Sequence, residues 1–353
     1  MIPSFRNDIL SITDPNHDNA PDEDNMFKQW QELFGGLLMS QKMYINPKAF
    51  CHSFKDFDGN PTNVIEQMDV DEYLGCLLDR LENAIKKTPQ ANTIHHHFGG
   101  WMANEIICKT CPHKYDRREN FLTVSISVKN KKSIKEGLDA FVEGDMLDEN
   151  NQYFCEKCDK KVDALKRQCI KRLPRYLITT LKRFEFDFDT MQRSKVDDYC
   201  EFPESLDMSN YTQEWLHKHE KGGHFTMDYP SDYYNYELVG IVVHSGTATS
   251  GHYYSYIKEQ EPESTTDQWI EFNDAFVKEF DKAEIPNECF GGDVQAGWQS
   301  RYQKSHSAYV VVYRRKMEAD PHFKDEEMQE PARGAEECLG QKKFAPRPDS
   351  AIA

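Results

Sequence analysis

A chain of 353 residues, 38% hydrophobic and 29% charged, is long enough for one large domain or two ordinary ones, and its net charge of -17 argues against nucleic acid or an anionic membrane as partner and favours a basic one. No run approaches the roughly 18 apolar residues of a membrane-spanning helix, and Met1-Ile2-Pro3-Ser4-Phe5-Arg6 lacks the layout of a signal peptide. The ten cysteines are few for this length and four fall in two tight pairs, which fits a reducing compartment, cytosol or nucleus, better than a disulfide framework.

Thr13 to Asn25 is rich in Asp, Asn and Pro and reads as an acidic flexible loop. Phe27, Trp30, Leu33, Phe34, Leu37 and Leu38 then recur at helical spacing, with Gly35 and Gly36 weakening the helix. A second helix carries the stripe Tyr73, Leu74, Leu77, Leu78, Leu81 and Ile85, with Glu66, Gln67 and Asp69 in its opening turn. His95-His96-His97 reads as a loop, because three consecutive rings do not converge easily on one ion. Leu122, Val124, Ile126 and Val128 alternate with small polar residues as a half-buried strand, and Ser133 with Glu136 makes a capping box for a short helix. Tyr176 to Phe186 is strand-like, and the aromatics of Phe184-Glu185-Phe186-Asp187-Phe188 are expected mostly in the core. A polar insertion fills Trp215 to Tyr234. Strands follow at Tyr236 to His244, Gly251 to Lys258, Gln268 to Phe272 and Ser307 to Arg314, before a charged tail after Met317 that reads as disordered. Helices first and strands afterwards predict an α+β fold.

Cys108-Lys109-Thr110-Cys111 and Cys155-Glu156-Lys157-Cys158 are two C-x-x-C knuckles. Each offers two thiolates from a tight turn, and together they complete a tetrahedral shell for structural Zn2+. Four free thiols or a redox pair are the alternatives. His113 reads as a surface residue. The strand and short helix between the knuckles would fill a finger-like excursion.

Val242-Val243-His244-Ser245-Gly246 ends one strand, and Gly251-His252-Tyr253-Tyr254 opens the next. A histidine at a strand start has a fixed backbone and a ring free to face a cleft, while the small loop residues admit a substrate backbone. Trp269-Ile270-Glu271-Phe272-Asn273-Asp274 ends a further strand on an amide and a carboxylate, either of which can accept a hydrogen bond from the imidazole Nδ1–H. Taken alone, a histidine beside aromatics is usually a packed core residue.

Taken in order, Glu66 to Tyr73, the two knuckles, Leu173-Pro174-Arg175-Tyr176-Leu177, Leu181-Lys182-Arg183-Phe184, Tyr236-Glu237-Leu238-Val239-Gly240, Gly251 to Ser255 and Trp269 to Asp274 resemble the ubiquitin-specific proteases over roughly residues 1–315. Met1-Ile2-Pro3, Cys289-Phe290-Gly291-Gly292 and Ser307-Ala308-Tyr309 look like the branch of very large members. The resemblance implies a papain-like thumb, palm and zinc-bearing fingers: residues 1–92 as a partial helical thumb, 93–200 as fingers, 201–316 as palm and 317–353 as tail. It implies ubiquitin and ubiquitinated proteins as partners, with hydrolysis after ubiquitin's terminal glycine. His252 falls at the general base, Asn273 at the orienting residue and Asp274 at a supporting neighbour. Gln67, Asp69 and Glu72, with His244, Gly251 and Tyr253, fall where the family contacts the ubiquitin tail. Cys108, Cys111, Cys155 and Cys158 carry over as zinc ligands.

One departure matters. The family's nucleophile lies in a box like Gly-Leu-x-Asn-x-Gly-x-Thr-Cys-Tyr-x-Asn-Ser, which these 353 residues do not contain. Met1-Ile2-Pro3-Ser4 resembles a segment that follows that cysteine, so the expectation is a thumb truncated at its N-terminus, in a piece of a longer enzyme. The alternative is an inactive ubiquitin-binding pseudoenzyme, and a zinc-dependent scaffold without a ubiquitin role is a third reading. Cys51, Cys76, Cys169, Cys200, Cys289 and Cys338 read as structural or incidental, since none follows a Gly-rich turn into a helix start that would lower its pKa.

Overall fold

The computed structural model describes residues 2–13, 25–42, 44–55, 59–63, 67–189, 191–222, 224–260, 267–296 and 300–318. The acidic stretch 14–24, Glu66, Cys338 and the tail beyond 318 lie outside them. The contacts divide the chain into two compact units, one holding residues 1–94 and the other residues 95–320.

The first unit is helical: Pro3–Ser11, Met26–Met39, Lys48–Ser53 and Val70–Ile85. Met26–Met39 runs through Gly35 and Gly36 without a break, because its apolar stripe is already committed to packing. Trp30 meets Phe34 and Phe50 edge-on at 5.8 and 5.7 Å, and Phe54 continues the aromatic row to Tyr73 at 5.3 Å. Gln31 donates from Nε2 to the carbonyls of Ile9 and Ile12, both at 2.8 Å, satisfying groups that the end of the first helix leaves open. The long helix begins later than its sequence pattern implied. Asp69 is its N-cap, accepting from the Asp71 and Glu72 amides at 2.8 and 3.3 Å, so Gln67 precedes the helix. Leu78, Leu81 and Ile85, at i, i+3 and i+7, are its buried face.

The second unit is built on an eight-stranded sheet. The strands lie in the order Phe276–Phe280, Trp269–Asn273, Gly251–Lys258, Asn235–Gly246, His306–Arg315, Tyr176–Lys182, Thr123–Ser127, with Ser205–Asp207 added beside Asn235–Gly246. All of these pairs are antiparallel except the last in the row, where Thr123–Ser127 runs parallel to Tyr176–Lys182. A parallel pair needs a long crossover. Here that crossover is the helix Ile134–Glu143 followed by the strands that carry the second knuckle. The strand expected to help fill the excursion between the knuckles therefore belongs to the main sheet instead. Ser133 caps the helix as expected, accepting from the Glu136 amide at 3.2 Å, while the Glu136 carboxylate reaches the amide of Lys132 rather than that of Ser133.

A second sheet places Lys114–Phe121, Gly100–Cys108, Ala164–Arg172 and Asp145–Leu147 side by side. The His95–His97 run is not a loop: it lies in the helix Thr93–Phe98, with His97 fully buried against Tyr176. The supposed insertion starts as the helix Gln213–Lys221 and ends as the helical turn Ser231–Tyr234. Phe186 and Phe188 are 40% and 83% exposed, contrary to expectation. Among the described residues, the strand Phe184–Asp187, which holds Phe186 and ends just before Phe188, pairs with Gln192–Lys195 in a hairpin off the main sheet. Cys289 ends a helical turn, Ile285–Cys289. Among the described residues no helix is long and apolar enough to cross a membrane.

Candidate functional site

Four cysteine sulfurs converge at one end of the second sheet. Strand Gly100–Cys108 delivers Cys108 and leads into the turn with Cys111, and a small hairpin, Tyr153–Cys155 with Lys160–Val162, presents Cys155 and Cys158. All four Sγ atoms lie within 4.8 Å of one another, with Cys111 3.6 Å from Cys108 and 3.8 Å from Cys155. A tetrahedral Zn–S shell with bonds near 2.3 Å needs sulfurs about 3.8 Å apart, so the spacing fits such an ion. His113 is not in the cluster, and its carbonyl accepts from the Cys108 amide at 3.0 Å. The thiols are unequal. Burial raises the Cys108 pKa, but hydrogen bonds from the amides of Thr110 and Cys111 and from the Cys111 and Cys155 side chains together bring it down to about 7. Hydrogen bonding to Cys111, then burial, pushes Cys158 up to about 12. Four thiolates packed this closely call for a cation. Val162 and Tyr153 are the other apolar residues packed there, too small a core to hold the hairpin by burial alone.

The histidine site forms on the main sheet. Register places Ser245 opposite His252 and Gly246 opposite Gly251. His252 is the second residue of its strand, and Asn273 is the last residue of the next one over. The His252 Nε2 and Asn273 Oδ1 atoms are 2.8 Å apart. Alternation along Trp269–Asn273 puts Glu271 and Asn273 on one face, and the Asn273 Nδ2 donates to Glu271 Oε1 at 3.3 Å. A carboxylate only accepts, so the amide group of Asn273 faces Glu271 and its oxygen faces His252. His252 Nε2 must then carry the hydrogen, which leaves the lone pair on Nδ1. The expected contact through Nδ1–H is thus reversed. Asp274, at φ +52° in the hairpin turn and 3.7 Å from Nε2, is too far for a hydrogen bond and its side chain is 77% exposed. Of the two candidate acceptors, the structure brings Asn273 to the ring. Glu271, itself paired with Lys278 at 3.2 Å, is the residue that sequence reasoning missed, although its place two positions before Asn273 was a readable signal.

His244, Gly251 and Tyr253 meet beside this pair. Tyr253 lies across the ladder from His244, and the rings are 4.8 Å apart, while Phe184 meets His244 edge-on at 5.0 Å. His244 is buried. A Cβ on Gly251 would fall 2.2 Å from His244 Nε2 and 2.5 Å from the Ser245 oxygen, so glycine there is imposed by the protein's own packing. Gln67, Asp69 and Glu72 belong to the first unit, where Gln67 and Glu72 are exposed and Asp69 caps its helix.

Outside the four-cysteine cluster, none of the buried cysteines among the described residues is poised to react. Burial pushes Cys169 up to about 12, Cys200 up to about 11 and Cys289 higher still. Cys51 and Cys76 sit half-buried within helices of the first unit.

The family model for ubiquitin carboxyl-terminal hydrolase matches residues 1–313. The chain is 37% identical over 287 residues to human ubiquitin carboxyl-terminal hydrolase 9Y, covering 76% of this chain and 11% of that protein. It is 37% identical to the probable ubiquitin carboxyl-terminal hydrolase FAF of Drosophila melanogaster, over 82% of this chain and 11% of the relative. Human ubiquitin carboxyl-terminal hydrolase 24 is 34% identical over 89% of this chain and 12% of its own length. The chain therefore spans about a tenth of these curated relatives. Among solved structures, the SAGA Ubp8/Sgf11/Sus1/Sgf73 DUB module bound to ubiquitin aldehyde matches with a TM-score of 0.55 and 27% identity, over 70% of this chain and 49% of that one.

Proposed function

The chain belongs to the ubiquitin carboxyl-terminal hydrolase family, as a ubiquitin-specific protease, and from that premise we propose that it carries the base half of a cysteine protease site that cleaves peptide and isopeptide bonds after the C-terminal glycine of ubiquitin. The observation that carries this reading is the chain of hydrogen bonds from Glu271 through Asn273 to His252 Nε2, which leaves Nδ1 free to take a thiol proton. His252 is the general base and Asn273 the residue that fixes its tautomer. Asp274, 3.7 Å from the same nitrogen, is proposed as its supporting neighbour. Gln67, Asp69, Glu72, His244, Gly251 and Tyr253 are the proposed contacts to the ubiquitin tail. For Asp69, His244 and Gly251 that role would be added to a structural one.

The four-cysteine cluster is proposed as a structural Zn2+ site. Cys108, Cys111, Cys155 and Cys158 would hold the ion with four protein thiols, and holding it would stiffen the hairpin without any part in the chemistry. Nucleophilic attack needs a thiolate. No cysteine in the sequence stands in the family's Gly-rich box, and Cys169, Cys200 and Cys289 are held protonated by burial. We assign the nucleophile to a segment bearing that box, and these 353 residues alone to ubiquitin binding without turnover. That second part is also the pseudoenzyme reading. Cytosol or nucleus is the proposed location, from the free thiols.

The test is a ubiquitin with a cysteine-reactive C-terminal warhead, offered to this chain and to the chain preceded by a family Cys-box segment. We expect an adduct only in the second. There, His252→Ala should slow turnover by roughly 10²–10⁴-fold or more. An adduct with the 353 residues alone would show that one of their cysteines is the nucleophile. Turnover in the extended chain that survives His252→Ala would remove the histidine from the mechanism.

A further inference from the structure

Lys195 is a cation placed where a cation is expensive. Its side chain is 3% exposed, and burial pulls its pKa down against the opposing pull of Asp197. It ends the hairpin strand Gln192–Lys195, yet its Nζ does not serve that hairpin. It donates to the carbonyl oxygens of His244 at 3.2 Å, Gly246 at 3.3 Å and Ser305 at 2.6 Å, and it pairs with Asp197 at 2.9 Å. Its three N–H bonds thus match three carbonyl oxygens, and the Asp197 carboxylate supplies the counter-charge.

The acceptors mark out one feature. His244 and Gly246 are the last positions of the strand that leads into the loop 247–250, and that loop returns to His252. Gly246 takes φ +124°, donates its amide to Ser305 at 2.9 Å and lies opposite Gly251, while the Thr247 amide closes the loop onto Ser250 at 2.8 Å. Lys195 itself is held from behind. Fully buried Arg183 donates to the carbonyls of Ala308, Val196 and Asp198 at 2.7, 2.9 and 3.0 Å, and the Val196 amide donates back to the Arg183 carbonyl at 2.7 Å. A fixed base therefore grips the two carbonyls that flank Ser245, the residue paired with His252. An apolar side chain would fill the same space without aiming any carbonyl.

We propose that Lys195 is a positioning residue for His252: by clamping the His244 and Gly246 carbonyls it sets the turn that presents the imidazole to Asn273. This rests on the reading of His252 as a general base, but its first test does not. In this chain, long-range proton–nitrogen NMR of labelled histidine, assigned with His252→Ala, should show His252 as one tautomer, Nε2–H. Lys195→Met should mix the tautomers and speed amide exchange from Ser245 to His252 by about tenfold or more, with exchange in the rest of the second unit unchanged. Lys195→Arg, which keeps buried donors and charge, should restore the single tautomer. A folded Lys195→Met chain with His252 and its loop unaltered overturns the proposal.

A second measurement needs no variant. The Lys195 ammonium in the unaltered chain should exchange slowly with water and show cross-relaxation to the Gly246 α-protons; a rapidly exchanging ammonium overturns the clamp. In the extended chain, Lys195→Met should lower kcat by roughly tenfold to a hundredfold and leave KM nearly unchanged. A rise in KM with kcat unchanged overturns it. If neither extended chain turns over, the protease reading fails while the tautomer result stands by itself.

Discussion

Glu105 offers the clearest quantitative test of the second unit. Its carboxylate is 1% exposed on strand Gly100–Cys108 and gathers three partners: Arg167 Nε at 2.8 Å, Gln213 Nε2 at 2.8 Å and His217 Nε2 at 2.6 Å. Burial alone would raise its pKa, but hydrogen bonds from His217, Gln213 and Arg167 bring it down from 4.5 to about 2. The difference corresponds to about 3 kcal/mol. Because the folded pKa is the lower one, the unfolded chain binds the extra proton. The contribution is fully present above about pH 4.5, shrinks as pH falls and is gone below about pH 2.

Glu105→Gln removes that titration and leaves Arg167, 4% exposed, with Glu220 as its remaining carboxylate. We expect a loss of roughly 3–5 kcal/mol at neutral pH. The helix Gln213–Lys221, which reaches the sheet through Gln213 and His217, should loosen first. Thermal unfolding should separate the two proteins by some 6–12 °C or more at pH 7, and the gap should narrow steadily between pH 4.5 and the acid limit. A gap that stays constant over that range would refute the assignment of the depressed pKa to Glu105.

Two further outcomes follow from the same geometry. The purified chain should hold about one Zn2+ per molecule by elemental analysis; a strong chelator should remove it and expose the Tyr153–Val162 hairpin to proteolysis, and Cys158→Ala should weaken retention, whereas a full complement of metal in that variant would discard the four-thiol site. Gly251→Ala should destabilise the second unit by roughly 1–3 kcal/mol in urea unfolding, because the Ser245 oxygen 2.5 Å from the new Cβ cannot rotate away, and a change below about 0.5 kcal/mol would show that the strand yields.

The two C-x-x-C pairs, the strand around His252 and the Asn-Asp pair after Trp269 were legible because each is a local pattern, a spacing or an alternation. The α+β order was legible for the same reason: apolar stripes of period 3.6 precede apolar alternation. The sheet around the zinc cluster was not. Lys114–Phe121 is almost wholly exposed and charged, so it has no period to read, and it becomes a strand only because Gly100–Cys108 lies beside it. The aromatic hairpin at Phe186 and Phe188 failed the other way, since an apolar residue goes to the core only if another layer covers it.

The ordered segments carried the resemblance to the family, and residue types and spacings marked out the chemical groups by themselves. Which imidazole nitrogen carries the proton, why Gly251 has no side chain, what Lys195 holds and where Thr123–Ser127 pairs were decided only by tertiary structure. Each depends on atoms brought within a few ångströms from distant parts of the chain. Hydrogen-bond direction and steric overlap act at that range, and sequence periodicity does not report it.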